Sequence, residues 1–208
     1  MAVRMSRDER KERTRTDLLV AARRVFVERG FHRASLDEIA LEAGYTKGAV
    51  YSNFADKDAL FLAVLDAHYT SRLEDYAGMM LDGDDLQEGQ RELARYMAES
   101  DVREPRWLPL LSEFIAHAGR HDEVRRAYIA TRQKFLEAIA DIIDATQERY
   151  GVRYLVAPLD IARASSVLIR GFSAERQLDP DAVPPELFVE LHTGFLRGLT
   201  VAAERSTE

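Results

Sequence analysis

The sequence predicts an all-α protein, an N-terminal three-helix domain with a helix-turn-helix followed by a larger helical domain. Three observations predict it. Apolar residues recur three and four apart through most of the 208 residues. Glycine and proline fall at the joints between such stretches. No convincing strand pattern and no internal repeat interrupts them.

The first helix is expected over roughly Arg15 to Gly30, where Leu18, Leu19, Ala22, Val25 and Phe26 form an apolar stripe and Gly30-Phe31 close it. Ser35 is a good N-cap for the second. Glu38, three residues on, completes a capping box that satisfies backbone N–H groups the helix itself leaves open. Leu36, Ile39, Ala40 and Ala43 share one face, and Gly44 stands where a left-handed C-cap is usual. Thr46 is the N-cap of the third helix, in which Val50 and Phe54 point inward. Lys47, Gly48, Tyr51, Ser52 and Asn53 are left on its other faces. The turn is too short for antiparallel helices, so a steep crossing follows. Residues 35–54 thus read as a helix-turn-helix whose second helix can enter a major groove.

Beyond Lys57 only helices are expected. Asp56 caps one carrying Leu60, Phe61, Val64, Leu65 and His68, to about Met80, and 81–85 is a loop. Another runs from about Leu86 to Ser100. Pro105 and Pro109 mark the start of the next, which bears Trp107, Leu110, Leu111, Phe114, Ile115 and Ala118 and ends at Gly119. A long helix spans Asp122 to Tyr150 and ends at Gly151. The last two run from about Leu159 to Arg176 and from Pro185 to Ala203, parted by a proline-rich loop. They are rich in small residues: Ala162, Ala164, Ser165, Ser166 and Gly171, then Gly194 and Gly198. Small residues at helical spacing allow close approach between helices, within a chain or between two.

Composition narrows the class. At 46% hydrophobic and 31% charged the chain is ordinary for a folded soluble protein. It has no apolar run of membrane-spanning length and no apolar signal segment, so no membrane partner and a cytoplasmic location are expected. The absence of cysteine excludes disulfides, thiolate zinc sites and thiol redox sensing. A net charge of −7 argues at first against a nucleic-acid partner, but residues 1–60 carry +2 and residues 61–208 carry −9. Residues 1–33 alone carry +5, with Arg4, Arg7, Arg10, Lys11, Arg13 and Arg15 forming a basic arm. Such an arm suits a phosphate backbone or a minor groove, and equally a solvated tail.

The segment resembles the DNA-binding domain of TetR-family transcriptional regulators. The matching residues are Ile39-Ala40, Ala43-Gly44, Thr46, Gly48, Val50-Tyr51, Phe54, Lys57 and Leu60, with the preceding helix. The resemblance covers about the first third of the chain. It implies a DNA-binding domain over 12–72 and a helical ligand-binding and dimerisation domain over 73–205. Tyr51 and Lys57 would contact phosphates, with Ser35 and Thr46 adding hydroxyl and helix N-terminal contacts. Lys47 and Gly48 would lie nearest the base edges, with Ser52 and Asn53 as further contacts. Tyr51 also fits a half-buried packing tyrosine, and Lys47 a solvated lysine. The last two helices would form a homodimer interface, so that two recognition helices read a palindromic double-stranded operator. The middle helices would enclose a pocket for an unidentified small-molecule effector, with no cofactor. Its candidate wall is Trp107, Leu111, Phe114, His117, Tyr128, Arg132, Phe135 and Arg170, although aromatic stripes are as readily core.

Enzymatic signals do not assemble. There is no GxGxxG and no GxxxxGK[ST], and Gly171-Phe172-Ser173-Ala174-Glu175 lacks the second glycine of a nucleophile elbow. His117 and His121 are four apart, but Gly119 interrupts the helix between them, so no metal site is expected. The expected function is a DNA-binding transcriptional regulator, a ligand-released repressor with no catalytic residues. The rival reading is a helical interaction or scaffold protein that binds DNA without controlling transcription.

Overall fold

The computed structural model describes residues 6–202, so Arg4 of the basic arm and residues from Ala203 onward lie outside it. In chain order the helices are α1 (Arg7–Arg29), α2 (Leu36–Glu42), α3 (Lys47–Asn53), α4 (Lys57–Leu81) and α5 (Leu86–Ala98). They continue with α6 (Ser100–Arg103), α7 (Trp107–Ala118), α8 (Asp122–Tyr150), α9 (Pro158–Leu178) and α10 (Pro185–Leu199).

Two expectations need correction. Strands β1 (Val152–Tyr154) and β2 (Thr200–Ala202) pair antiparallel, with Val152 opposite Ala202. Three residues are too few to print a period-two pattern, and the pairing joins segments far apart in sequence. The first helix also begins well before Arg15. Ser6 caps it, accepting from the Glu9 N–H at 3.1 Å while its own N–H donates to the Glu9 carboxylate at 2.6 Å. Arg7, Arg10, Lys11, Arg13 and Arg15 therefore stand on a helix rather than an extended arm.

The chain divides into two compact units. The first comprises Met1–His68 with Pro109–Thr131, and the second Tyr69–Leu108 with Arg132–Glu208. Four phenylalanines centre the first unit: Phe26, Phe31, Phe61 and Phe114, all essentially sealed from solvent. Phe61 stacks on Phe114 at 4.2 Å, and Phe31 meets Phe114 edge-on at 5.0 Å. Phe26 meets Phe61 edge-on at 5.2 Å. Each buried ring contributes about 2 to 3 kcal/mol through burial alone, and the edge-to-face pairs somewhat more. Leu18, Ile39, Val50, Leu60 and Leu65 of the same unit are fully buried as well. Residues 109–131, expected with the helices beyond 73, thus fold into the unit that carries α2 and α3. Periodicity marks an apolar face but does not say which neighbour will cover it.

In the second unit α10 lies against α5, joining Phe188 to Ala94, Met97 and Ala98, with Ile169 and Phe172 of α9 packed alongside. Gly89 sets the approach of α5 to the end of α4. A Cβ there would stand 2.6 Å from the Met79 carbonyl oxygen, closer than any side chain tolerates. Among the described residues no helix is long and apolar enough to cross a membrane.

Candidate nucleic-acid interface and ligand cavity

The turn between α2 and α3 is built from backbone hydrogen bonds. The Tyr45 N–H donates to the Ala40 carbonyl at 2.9 Å and the Gly44 N–H to that of Leu41 at 3.1 Å. That pair is a Schellman motif, and it requires a left-handed residue at Gly44, whose φ is +72°. A Cβ at Gly44 would meet nothing within 4 Å, so the dihedral alone selects glycine. Ser35 caps α2 in the expected box with Glu38. Thr46 caps α3, its hydroxyl accepting from the Ala49 N–H at 3.3 Å. Val50 is fully buried beneath α3 and Phe54 nearly so, while Tyr45 donates to Asp17 of α1 at 2.9 Å. The outer face of α3 is thereby fixed.

That face presents Lys47, Gly48, Tyr51 and Ser52. Lys47 is exposed, with its ammonium 2.8 Å from Asp37 of α2, whose carboxylate raises the lysine above its ordinary value. Nothing nearer than the Thr46 hydroxyl, at 3.7 Å, bounds the space over Gly48, so its surface is flat and open. Tyr51 is half exposed at 52% and lies below the Lys47 ammonium, 6.0 Å from its ring centre. Ser52 donates back to the Ala49 carbonyl at 2.9 Å.

Two candidates are engaged inside the unit. The Asn53 amide nitrogen donates to the Ala49 carbonyl at 2.8 Å, and its buried side-chain oxygen has no partner. The Lys57 ammonium donates to the carbonyls of Phe31, His32 and Ala34 at 2.9, 3.2 and 3.2 Å, over the Phe31 ring. An ammonium has three donors, and all three are used. Lys57 expected on phosphate instead ties the loop after α1 to the start of α4. Sequence spacing identifies such a lysine but not the atoms it reaches.

The second unit holds a cavity of about 100 Å³. Its wall comes from α4, α5, α8, α9 and α10 and includes Tyr76, Met97, Phe135, Ile142, Ile161 and Ile169. Five residues with polar groups, Tyr76, Tyr154 of β1, Ser165, Ser166 and His192, interrupt the apolar lining. The Ser165 hydroxyl and His192 Nε2 are 3.0 Å apart, and His192 Nδ1 is buried with no partner. Burial pushes the imidazole down to about 4.

Of the eight residues expected at the pocket, only Phe135 lines this cavity. Arg132 reaches the Ser166 hydroxyl at 3.5 Å and the Arg170 Nε donates to the Ser166 carbonyl at 3.1 Å, so both stand just behind the wall. Trp107 is buried elsewhere in the second unit. Leu111, Phe114, His117 and Tyr128 pack in the first unit, His117 with its Nε2 3.0 Å from Asp58. His192 was not anticipated. Its spacing from Phe188 and Leu196 on the inward face of α10 was the available signal.

One further surface stands out. Val167, Leu168, Leu187 and Leu191 of α9 and α10 are exposed. A Cβ at Gly171, Gly194 or Gly198 would meet nothing within 4 Å. These glycines therefore do not serve packing inside the chain.

The chain matches known proteins along most of its length. A profile described as bacterial regulatory proteins, tetR family, matches residues 18–64, and one described as BetI-type transcriptional repressor, C-terminal, matches 86–201. The transcriptional regulator AcrR of Shigella flexneri is 33% identical over 81% of this chain and 78% of its own. The transcriptional activator FasR of Mycolicibacterium smegmatis is 31% identical over 75% and 69%. A crystal structure described as a putative TetR-family regulator from Mesorhizobium loti superposes with a TM-score of 0.73 at 20% identity, covering 94% of this chain and 99% of that one. The chain belongs to the TetR family: it is a DNA-binding transcriptional regulator and not an enzyme.

Proposed function

We propose that this regulator is a cytoplasmic repressor that binds a palindromic operator as a homodimer and leaves it when a small molecule enters the cavity of the second unit. The observation that carries the dimer is the face with Gly171, Gly194 and Gly198. Their Cβ positions are open in the single chain, and Leu168, Leu187 and Leu191 stand exposed beside them. Apolar residues around flat glycine surfaces suit a second copy related by a two-fold axis. One recognition helix reads too few base pairs for selectivity, and two in symmetric array read a palindrome.

On each half-site Lys47 and Gly48 approach base edges, the lysine donating to guanine O6 and N7. Tyr51, Ser52, and the N-caps Ser35 and Thr46 bind phosphates, with Asn53 at the end of the helix. Lys57 contributes by positioning the loop that leads into α2. The effector acts by population shift, favouring a conformer whose two recognition helices no longer match successive major grooves. It contributes only through its differential affinity for the two conformers.

Selection of bound fragments from genomic DNA tests the reading, with wild type beside the Lys47→Ala/Tyr51→Ala double variant at physiological salt. One palindrome enriched by wild type alone is the expected result. Equal, sequence-blind enrichment by both would remove α3 as the reading element and favour a scaffold role. Sedimentation of Leu191→Asp, expected to run as a monomer and lose operator affinity, tests the dimer face.

A further inference from the structure

From the chemistry of the cavity wall we propose that the effector is a small uncharged molecule, one ring or a short branched chain in bulk, with a hydroxyl that hydrogen-bonds at the Ser165–His192 pair. The inference rests on the reading of this cavity as the effector site.

Size comes first. The cavity measures about 100 Å³. An apolar cavity of about 150 Å³ accepts benzene, so one ring fits here after a small shift of the wall. Met80 and Met97 line it, and their unbranched thioether side chains yield easily.

Charge comes second. Among the described residues no acidic, lysine or arginine side chain lines the cavity. Two guanidinium groups, those of Arg132 and Arg170, contact Ser166 of the wall. Arg170 is committed to its carbonyl at 3.1 Å, and Arg132 touches its hydroxyl only at 3.5 Å. His192 is 2% exposed, and burial holds its imidazole neutral at neutral pH. An ion entering this space would lose its hydration with no opposite charge to offset the loss. A neutral molecule meets no such penalty.

Polarity comes third. Serine offers one donor and two acceptor positions, and the His192 contact uses only one of them. The imidazole is buried with Nδ1 unpartnered, which leaves the pair under-satisfied. A ligand hydroxyl, both donor and acceptor, completes the hydrogen bonding of Ser165 in either tautomer of His192.

Phenol, toluene, benzoate and benzylammonium form a suitable probe set, being close in size and differing in polarity and charge. Binding to full-length protein is read by calorimetry, and release of the operator by fluorescence anisotropy. Phenol is expected to bind most tightly and the two ions at least tenfold more weakly. Ser165→Ala should weaken phenol about five- to tenfold, the effect of losing one hydrogen bond, and leave toluene unchanged. Ala162→Phe should exclude both. Ile142→Trp replaces it if that variant fails to fold, as judged by circular dichroism. Benzoate binding as well as phenol, or phenol binding unaltered in Ser165→Ala, would overturn the proposed class while leaving the cavity a binding site. Phenol that binds in the cavity without releasing the operator would instead refute the effector reading. Failure of all four probes to bind would refute both.

Discussion

The two units differ most in how their centres are filled. The first fills its centre with four interlocked phenylalanine rings and fixes its helix ends with side-chain caps at Ser35 and Thr46. The second keeps a cavity, with His192 in its wall, and a glycine-lined outer face. Dense packing makes one arrangement far better than its neighbours, as a surface that must match a groove requires. Open space within a wall lowers local stability, as a site that responds to a ligand requires. The difference teaches that, on the function proposed above, reading and sensing call for different packing.

The sharpest way to break the contrast is to open the dense unit. Phe114→Ala removes the ring that touches both Phe31 and Phe61. It should cost about 3 to 5 kcal/mol by urea unfolding and reduce operator affinity, although Phe114 lies nowhere near α3 in sequence. A loss below about 1 kcal/mol would mean that the ring cluster is not what holds this unit.

A smaller effect probes the second unit through pH. The folded value of His192 lies near 4, below the 6.5 of the free side chain. Between those values the unfolded chain binds a proton that the folded chain refuses, so stability is full above pH 6.5 and falls as pH drops toward 4. The loss is on the order of 3 kcal/mol when complete. Unfolding midpoints at pH 7 and pH 4.5 should differ more in wild type than in His192→Gln. Equal differences would show that the imidazole is not sealed.

The smallest effect sharpens the account of the DNA-binding face. Ser35→Ala removes one cap and should cost about 1 kcal/mol, while circular dichroism stays close to wild type. Operator affinity should fall by more than this stability loss explains if the hydroxyl also meets a phosphate. A drop no larger than that of a destabilised control would assign Ser35 to structure alone.

The helix-turn-helix was legible because its signals are local. A capping box, a glycine required by its dihedral and a one-turn apolar face each lie within a few residues. What the sequence concealed was tertiary. Phe114 and Tyr128 carry the same spacing whether they face a cavity or a ring cluster, and only the partner distinguishes the two. Lys57 could be recognised by its position, yet the three carbonyls that hold it come from a different loop. His192 stood in an apolar stripe and gave no local sign of its serine partner on α9. The β1–β2 pair was invisible for a related reason, since each strand is shorter than the pattern that would announce it.

The Lys47–Asp37 ion pair carries a last consequence. A lysine already 2.8 Å from a carboxylate does not arrive at DNA as a free charge. In the docking proposed above it exchanges one partner for another, so the aspartate competes with whatever DNA atom the lysine reaches. Asp37 would then be a competitor present for every sequence, and a weak one, since both side chains of the pair stand in water. In that docking the pair sets a small, sequence-independent cost on landing without touching a base.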